Sequence, residues 1–318
     1  MTKKRDHGGG LDAAINQYGG VRNIWVDLST GINPNPYPIP DIPPHYWHVL
    51  PDEKSQEALL QAARKFWNVP DGASIVPASG VSALIAMLPT LTTKSQVSIL
   101  NPTYNEFAGA FTGQGWLLQN QAPVQVRVHP NNPDGRIFSR AEIARQHDQL
   151  TIIDESFCDI CPEKSMVDLA EKSNYIILKG TGKFWGLAGL RLGFAITTPE
   201  LAQKINQQLG PWNISGPAQF IGQKALSDQV WVGDTRQNLA VMTKQLRDVL
   251  SQNGLTPIGG TDLFQLAQTP SAKDLHIHLC KNHILTRIFP YSSKWIRLGL
   301  PANNIELLQL NDALGRFG

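Results

Sequence analysis

The sequence predicts an α/β fold: a large domain with a mostly parallel, mixed sheet flanked by helices, joined to a smaller α+β domain. Three observations carry this. Short apolar runs of strand character fall at 74–76, 96–100, 124–128, 150–153, 175–178 and 193–196. Helix-length segments alternate with them at 82–88, 104–113, 140–146 and 165–172. Such alternation builds a parallel sheet, because each crossover returns the chain to the same end of the sheet and lays a helix on a face. From residue 228 the rhythm changes to one long helix, then strand, helix, strand, strand and helix. The expected division is 1–50 as an N-terminal arm packing with the small domain, 51–227 as the large domain, and 228–318 as a linking helix and small C-terminal domain.

Each element has a local reason. Residues 24–28 read as a short strand. Residues 29–44 carry prolines at 34, 36, 38, 40, 43 and 44, which remove backbone donors and fix φ, so the segment is an extended loop. A helix follows over 55–67, with Ser55 as its N-cap and Leu59, Ala62, Ala63 and Phe66 as its apolar stripe. The long helix over 228–253 sets Leu239, Met242, Leu246 and Leu250 on one side, and Gly254, Gly259 and Gly260 end it.

Composition narrows the class. With 318 residues, 42% hydrophobic and 17% charged, the chain has ample material for a large core in one domain or two. A disordered chain, a coiled coil and a disulfide-stapled miniprotein are excluded. A net charge of +2 gives no sign of a nucleic-acid surface, and the eight Trp form no repeat. The start is basic and then glycine-rich, without the apolar run of a signal peptide. No stretch approaches the roughly 18 consecutive apolar residues of a membrane helix, so a cytoplasmic chain without membrane partners is expected. Cys158 and Cys161 have the spacing of a metal or redox pair, but no second pair exists and Cys280 stands alone. Buried or reduced thiols, and no metal, are expected.

The chemistry concentrates at 180–193, Gly-Thr-Gly-Lys-Phe-Trp-Gly-Leu-Ala-Gly-Leu-Arg-Leu-Gly. It is not a P-loop: Ile177 stands where the first Gly belongs, and Phe184 replaces the required Ser or Thr. Nor is it the dinucleotide pattern, because Trp185 takes the place of the third Gly. What remains is Lys183 in a glycine-rich turn straight after a strand, with Arg191 further on. A Lys at a strand end whose pKa is lowered by burial and a nearby cation can form a Schiff base. An Arg grips a phosphate bidentately.

This segment resembles the Schiff-base lysine motif of fold-type I pyridoxal-phosphate enzymes, the aspartate aminotransferase superfamily. The resemblance extends along the chain in order. Ala78-Ser79-Gly80-Val81-Ser82 follows a strand and opens a helix, which implies that Gly80, Val81 and Ser82 cradle the cofactor phosphate. Asn101-Pro102-Thr103-Tyr104 implies Tyr104 as the aromatic stacked on the ring. Asn131-Asn132-Pro133-Asp134-Gly135 implies Asn132 at the phenolic oxygen. Thr151-Ile152-Ile153-Asp154 implies Asp154 under the pyridine nitrogen, where a carboxylate keeps the ring protonated as an electron sink. Trp295-Ile296-Arg297-Leu298 implies Arg297 for the substrate carboxylate. Pyridoxal 5'-phosphate is the cofactor so implied, with Lys183 catalytic, Arg191 on the phosphate, and a site built at a homodimer interface.

The N-terminus resembles one branch, the threonine-phosphate decarboxylases of cobalamin biosynthesis, through His7-Gly8-Gly9 and through Asp27-Leu28-Ser29-Thr30-Gly31-Ile32-Asn33-Pro34. These enzymes convert L-threonine-O-3-phosphate to aminopropanol phosphate and carbon dioxide. A small phosphorylated amino acid is thus the implied substrate. Gly31, Ile32 and Asn33 would line its site, with Arg287 as its phosphate grip and His7 assisting. Three positions depart from the family pattern. Gly180 replaces a Ser or Thr, with Thr181 as a compensating hydroxyl; Phe157 replaces a Tyr; and Leu50 stands in a Tyr-Pro-Asp motif. Two other readings stay open. An aminotransferase similar to histidinol-phosphate aminotransferase shares every cofactor residue named, and only its products differ. A cofactor-binding module without catalysis usually carries a DNA-binding domain ahead of this fold, for which a chain reaching its Asn33 motif this early leaves no room.

Overall fold

The computed structural model describes residues 6–144 and 150–317. Arg145 and Gln146, at the end of the helix expected over 140–146, lie outside the described residues, as do the first five residues of the arm. The chain forms two compact units. One comprises Pro36–Asn132 and Ile137–Val232; the other comprises the chain up to Asn35, Pro133–Arg136 and the chain from Gly233 on.

The large unit is built on a seven-stranded sheet. Its strands lie in the order Ser74–Ala78, Gly193–Thr197, Tyr175–Gly180, Leu150–Asp154, Val124–Val128, Gln96–Ile99 and Leu117–Leu118. Gly193–Thr197 runs antiparallel to both neighbours, and the remaining pairs are parallel. All six expected strands are present. The short edge strand Leu117–Leu118, with both side chains exposed, is an addition that no hydrophobic alternation announces.

The strands are buried on both faces, which is why they read as continuous apolar runs rather than alternating ones. On one face Val97, Val126, Ile152, Ile176 and Leu178 pack with Leu84, Ile85, Phe107, Phe111 and Ile205 from three helices. These helices are Val81–Met87, Asn105–Gly113 and Pro199–Leu209. Each fully buried side chain of this size contributes about 1.5–3 kcal/mol. Elsewhere in the unit an aromatic cluster forms, with Trp185 stacked on Trp231 at 5.3 Å and edge-on to Phe66 and Tyr37.

Two local expectations in this unit are corrected. The first long helix is Glu53–Trp67, and its cap is Asp52, whose carboxylate accepts the Ser55 N–H at 2.8 Å. Ser55 therefore lies one turn inside. The segment expected as a helix over 165–172 is a 3-10 stretch, Val167–Glu171. Its entry is fixed from outside: the Glu155 carboxylate accepts from Ser165 Oγ and the Met166 N–H, both at 2.6 Å. Tertiary bonds override a weak local preference here.

The small unit holds a four-stranded antiparallel sheet in the order Arg287–Phe289, Ser292–Gly299, Phe264–Gln268 and Thr256–Thr261. The helices Ala272–Lys281 and Asn304–Gly315 belong to it, as does Gln229–Gln252 from Gly233 on. Val26–Asp27 pairs in parallel with Ile284–Leu285. The N-terminal stretch also contains a helix, Leu11–Tyr18, whose Leu11 and Ala14 pack with Trp25, Cys280 and Leu285. Gly259 and Gly260 do not end the long helix; they lie in the strand Thr256–Thr261. The turn Pro133–Arg136 explains them, because a Cβ at Gly259 would run into the Asp134 carbonyl, which accepts the Gly260 N–H at 2.9 Å. Among the described residues no helix is long and apolar enough to cross a membrane.

Candidate active site

The large unit has a cavity at the carboxyl ends of its parallel strands, where open α/β sheets place their ligands. Each expected cofactor residue but one lines it: Gly80, Val81, Ser82, Tyr104, Asn132, Asp154, Lys183 and Arg191. Topology gathers them. Gly80 follows Ser74–Ala78, Tyr104 follows Gln96–Ile99, Asn132 follows Val124–Val128, Asp154 ends its own strand, and Lys183 follows Tyr175–Gly180.

At one end of the cavity the chain is shaped by glycine. Gly80 has φ +85°, and a Cβ there would fall 2.6 Å from Arg191 Nη2. The guanidinium is thus laid against the turn whose N–H groups open the helix Val81–Met87. Arg191 itself takes a left-handed φ of +55° and donates to the Ala188 carbonyl at 3.1 Å. A Cβ at Gly193 would meet the Val81 nitrogen at 2.5 Å, so this glycine lets its strand abut the same turn.

At the other end Asp154 is buried, and its Oδ1 accepts from the Ser156 N–H at 2.9 Å and from Ser156 Oγ at 2.5 Å. Burial raises its pKa, opposed by the Ser156 bonds and the Lys183 charge. Burial also raises the Tyr104 phenol, helped by the charges of Glu106 and Asp154 and opposed by Ser82 and Arg191. Lys183 Nζ lies 5.4 Å from the centre of the Phe157 ring, which lines the cavity in place of the family's tyrosine. Asn131 ties the neighbouring loops together: its Nδ2 donates to the Pro102 carbonyl at 2.9 Å, and its Oδ1 accepts from Thr103 Oγ1 at 2.6 Å.

The expectation for Thr181 is corrected. It is fully buried, and its hydroxyl donates to the Leu192 carbonyl at 3.2 Å, so it braces the turn and does not line the cavity. The hydroxyl missing at Gly180 has a steric reason, because a Cβ there would sit 2.8 Å from Val81 Cγ2. Leu50, at the third departure, is 63% exposed.

Beside the cavity residues runs a buried ionic network that the motifs named above do not include. Lys179 Nζ pairs with Glu155 at 2.5 Å and lies 3.8 Å from Asp159. Burial pulls the Lys179 pKa down, but Glu155 and Asp159 together hold it above its ordinary value. Asp159 also accepts from the indoles of Trp67 at 2.8 Å and Trp185 at 3.1 Å. The acidic residue after Asp154 and the Lys before Gly180 were visible signals, since a charge within an apolar run needs a partner. His129, Glu155 and Cys158 bring ligand atoms within 4.8 Å of one another. Each His129 and Glu155 donor atom is already engaged: Nδ1 accepts from the Phe138 N–H, Nε2 bonds the Lys164 carbonyl, and both Glu155 oxygens accept. All three cysteines are free thiols, and the bond with Cys161 and then burial push Cys158 up.

The expected substrate residues all belong to the small unit. Arg287 and Arg297 are direct partners across two antiparallel strands. Arg297 is buried, its Nη2 donates to the Ser29 carbonyl at 2.9 Å, and its guanidinium lies 5.0 Å from the Phe264 ring. Burial, and next the charge of Arg287, push its pKa down to about 10. Arg287 bonds Asp6, which directly precedes the exposed His7. Gly31 and Asn33 are buried and Ile32 half-buried, with Asn33 Oδ1 accepting the Asn35 N–H at 2.9 Å.

An amine, a carboxylate, an amide, an aromatic ring and a guanidinium against a cradle that a Cβ would fill are the set that pyridoxal 5'-phosphate requires, and the residues present fit it. Comparison with known proteins agrees. The family described as Aminotransferase class I and II matches residues 118–310. A threonine-phosphate decarboxylase of Sinorhizobium is 38% identical, covering 98% of this chain and 98% of its own. Another, of Pseudomonas aeruginosa, is 35% identical with the same coverage of both chains. The crystal structure of histidinol-phosphate aminotransferase from Sinorhizobium meliloti in complex with pyridoxal-5'-phosphate shares the fold. Its TM-score is 0.86 at 20% identity, covering 99% of this chain and 95% of that one. The chain belongs to the class I and II aminotransferase family.

Proposed function

We propose that this chain is a pyridoxal-phosphate-dependent decarboxylase that converts L-threonine-O-3-phosphate to aminopropanol phosphate and carbon dioxide in cobalamin biosynthesis. The observation that carries this reading is the cross-strand pair Arg287 and Arg297, two cations for a substrate with two anions. The two near-full-length relatives with that name support it.

Bound in the cavity, the cofactor supplies an electron sink that weakens whichever Cα bond stands perpendicular to its ring. Lys183 Nζ would hold it covalently. Asp154 would keep the proton on its ring nitrogen, Tyr104 would stack on the ring, and Asn132 would bond the phenolic oxygen. Arg191 and the turn at Gly80, Val81 and Ser82 would take its phosphate. Arg297 grips the substrate carboxylate and sets its orientation, while Arg287, with His7, takes the substrate phosphate; Gly31, Ile32 and Asn33 line this side. Orientation is what separates the outcomes: a decarboxylase sets the carboxylate perpendicular to the ring, an aminotransferase the Cα–H. Once the substrate amine had taken its place on the cofactor, the freed Lys183 Nζ would hold the proton that replaces carbon dioxide at Cα. The working form is a homodimer in the cytoplasm; Ile39, Trp47, Val49 and Leu50, between 58% and 63% exposed within one short stretch, support a buried partner face.

The test is an absorbance spectrum with added pyridoxal phosphate, followed by a product assay on L-threonine-O-3-phosphate. A visible band lost in Lys183→Ala, with carbon dioxide and amine released, is expected. A keto acid without carbon dioxide would make the chain an aminotransferase, and no band would remove the enzyme reading altogether.

A further inference from the structure

Arg287 is already engaged within the chain. Its Nη1 donates to the Asp6 carboxylate, and its Nη2 donates to the Asp6 backbone carbonyl at 2.8 Å. The arginine side chain is 12% exposed and the aspartate 46%. The arm is fastened just beyond Asp6. The Gly9 N–H donates to Ser29 Oγ at 2.7 Å, and a Cβ at Gly8 would run into the Ser29 carbonyl. Ser29 is itself fixed, its N–H and hydroxyl donating to Asp27 Oδ1 at 2.9 and 2.5 Å. The Gly8-Gly9 pair thus seats Asp6 on Arg287.

The register supplies an independent reason for an anion at this place. Arg287 and Arg297 face each other directly, and like charges so placed repel. Arg297 has a backbone carbonyl and a ring face as partners, while the Asp6 carboxylate supplies the anion on Arg287. A carboxylate with two oxygens and one charge occupies the guanidinium that the proposed reaction assigns to a phosphate with three oxygens and about −1.5 to −2 charges at pH 7.

We infer, resting on the reading of Arg287 as the substrate's phosphate grip, that Asp6 is an internal placeholder for that phosphate. It keeps the guanidinium paired before substrate arrives and is displaced when the phosphate binds, so it sets the affinity of the site. Displacement exchanges one charge-assisted bond for a stronger one, and the arm beyond Gly9 stays fastened.

The experiment uses the holoenzyme and two probes, L-threonine-O-3-phosphate in kinetics and inorganic phosphate in calorimetry. Asp6→Asn lowers KM and the inorganic phosphate Kd by the same factor, on the order of fivefold, with the change in KM rather than kcat. Asp6→Glu restores the wild-type values. Unchanged or weakened phosphate binding in Asp6→Asn overturns the placeholder role. Arg287→Gln separates the two layers. If it costs about tenfold or more in phosphate affinity while Asp6→Asn does nothing, only the role of Asp6 falls. If Arg287→Gln leaves phosphate affinity unchanged, the reading of Arg287 falls and takes this inference with it.

Discussion

In the large unit the charged groups around the cavity are held by neighbours that need no ligand. Asp154 accepts two bonds from Ser156, and Lys179 is enclosed by Glu155 and Asp159. In the small unit Arg287 and Arg297 face each other across a ladder, and the Asp6 carboxylate pairs with Arg287. The first arrangement fixes geometry before anything binds, as a cofactor retained over many turnovers requires. On the proposed reading, the second opposes two cations and holds one of them on a displaceable carboxylate until a substrate anion takes its place. On that reading, preorganisation and ligand exchange are divided between the two units of one chain.

The hardest way to break this contrast is to neutralise Asp154. Asp154→Asn keeps the shape and removes the charge, and should lower kcat/KM by about 10²–10³-fold. Stability should move the other way. The folded-state pKa of Asp154 is raised, so its carboxyl favours folding below the ordinary carboxylate range and loses that advantage as pH rises through the folded value. At neutral pH the cofactor-free variant should therefore melt at the wild-type temperature or above it. A lower melting temperature would show that the charge is structural.

A smaller effect is expected from Gly80→Ala. The new Cβ meets the far end of Arg191, which can swing away, so the cost falls on phosphate gripping more than on folding. The left-handed φ of +85° adds about 1 kcal/mol of strain. Pyridoxal phosphate affinity, read from a titration of the visible band, should weaken by about tenfold. An unchanged titration would detach Arg191 from the cofactor phosphate.

What could be read in the sequence follows the same division. The cavity residues were legible because each sits at a strand end in a short motif: Lys183 in its glycine turn, Asp154 closing an apolar run, Asn132 before a proline. Local spacing carries that information. The features that stayed hidden depend on partners distant in sequence. Val167–Glu171 is 3-10 because Glu155 holds its entry, and Gly259 and Gly260 lie in a strand because another turn crosses them. Thr181 turns inward to the Leu192 carbonyl although its place next to Gly180 suggests a compensating hydroxyl. Asp6 offers no signal, because nothing in residues near it announces an arginine 281 positions away.

The smallest effect sharpens the contrast most, because its sign should reverse with ligand. Arg287→Gln removes one of two opposed cations, which relieves Arg297, now pushed down to about 10 by burial and then by its partner. The ion pair with Asp6, which this variant also breaks, is 46% exposed on the acid's side and so offsets only part of that relief. Relief of a like-charged cross-strand pair amounts to at most about 1 kcal/mol, or a rise of about 1–2 °C in Tm for a chain of this size. Inorganic phosphate should then act on the wild type alone, since an anion that binds only the folded state raises its Tm with concentration. At low phosphate the variant melts higher; with phosphate in large excess the wild type does. Melting curves that keep one order at all phosphate concentrations would mean that the arginine pair stores no repulsion for a ligand to relieve, and the two units would then be prepared alike.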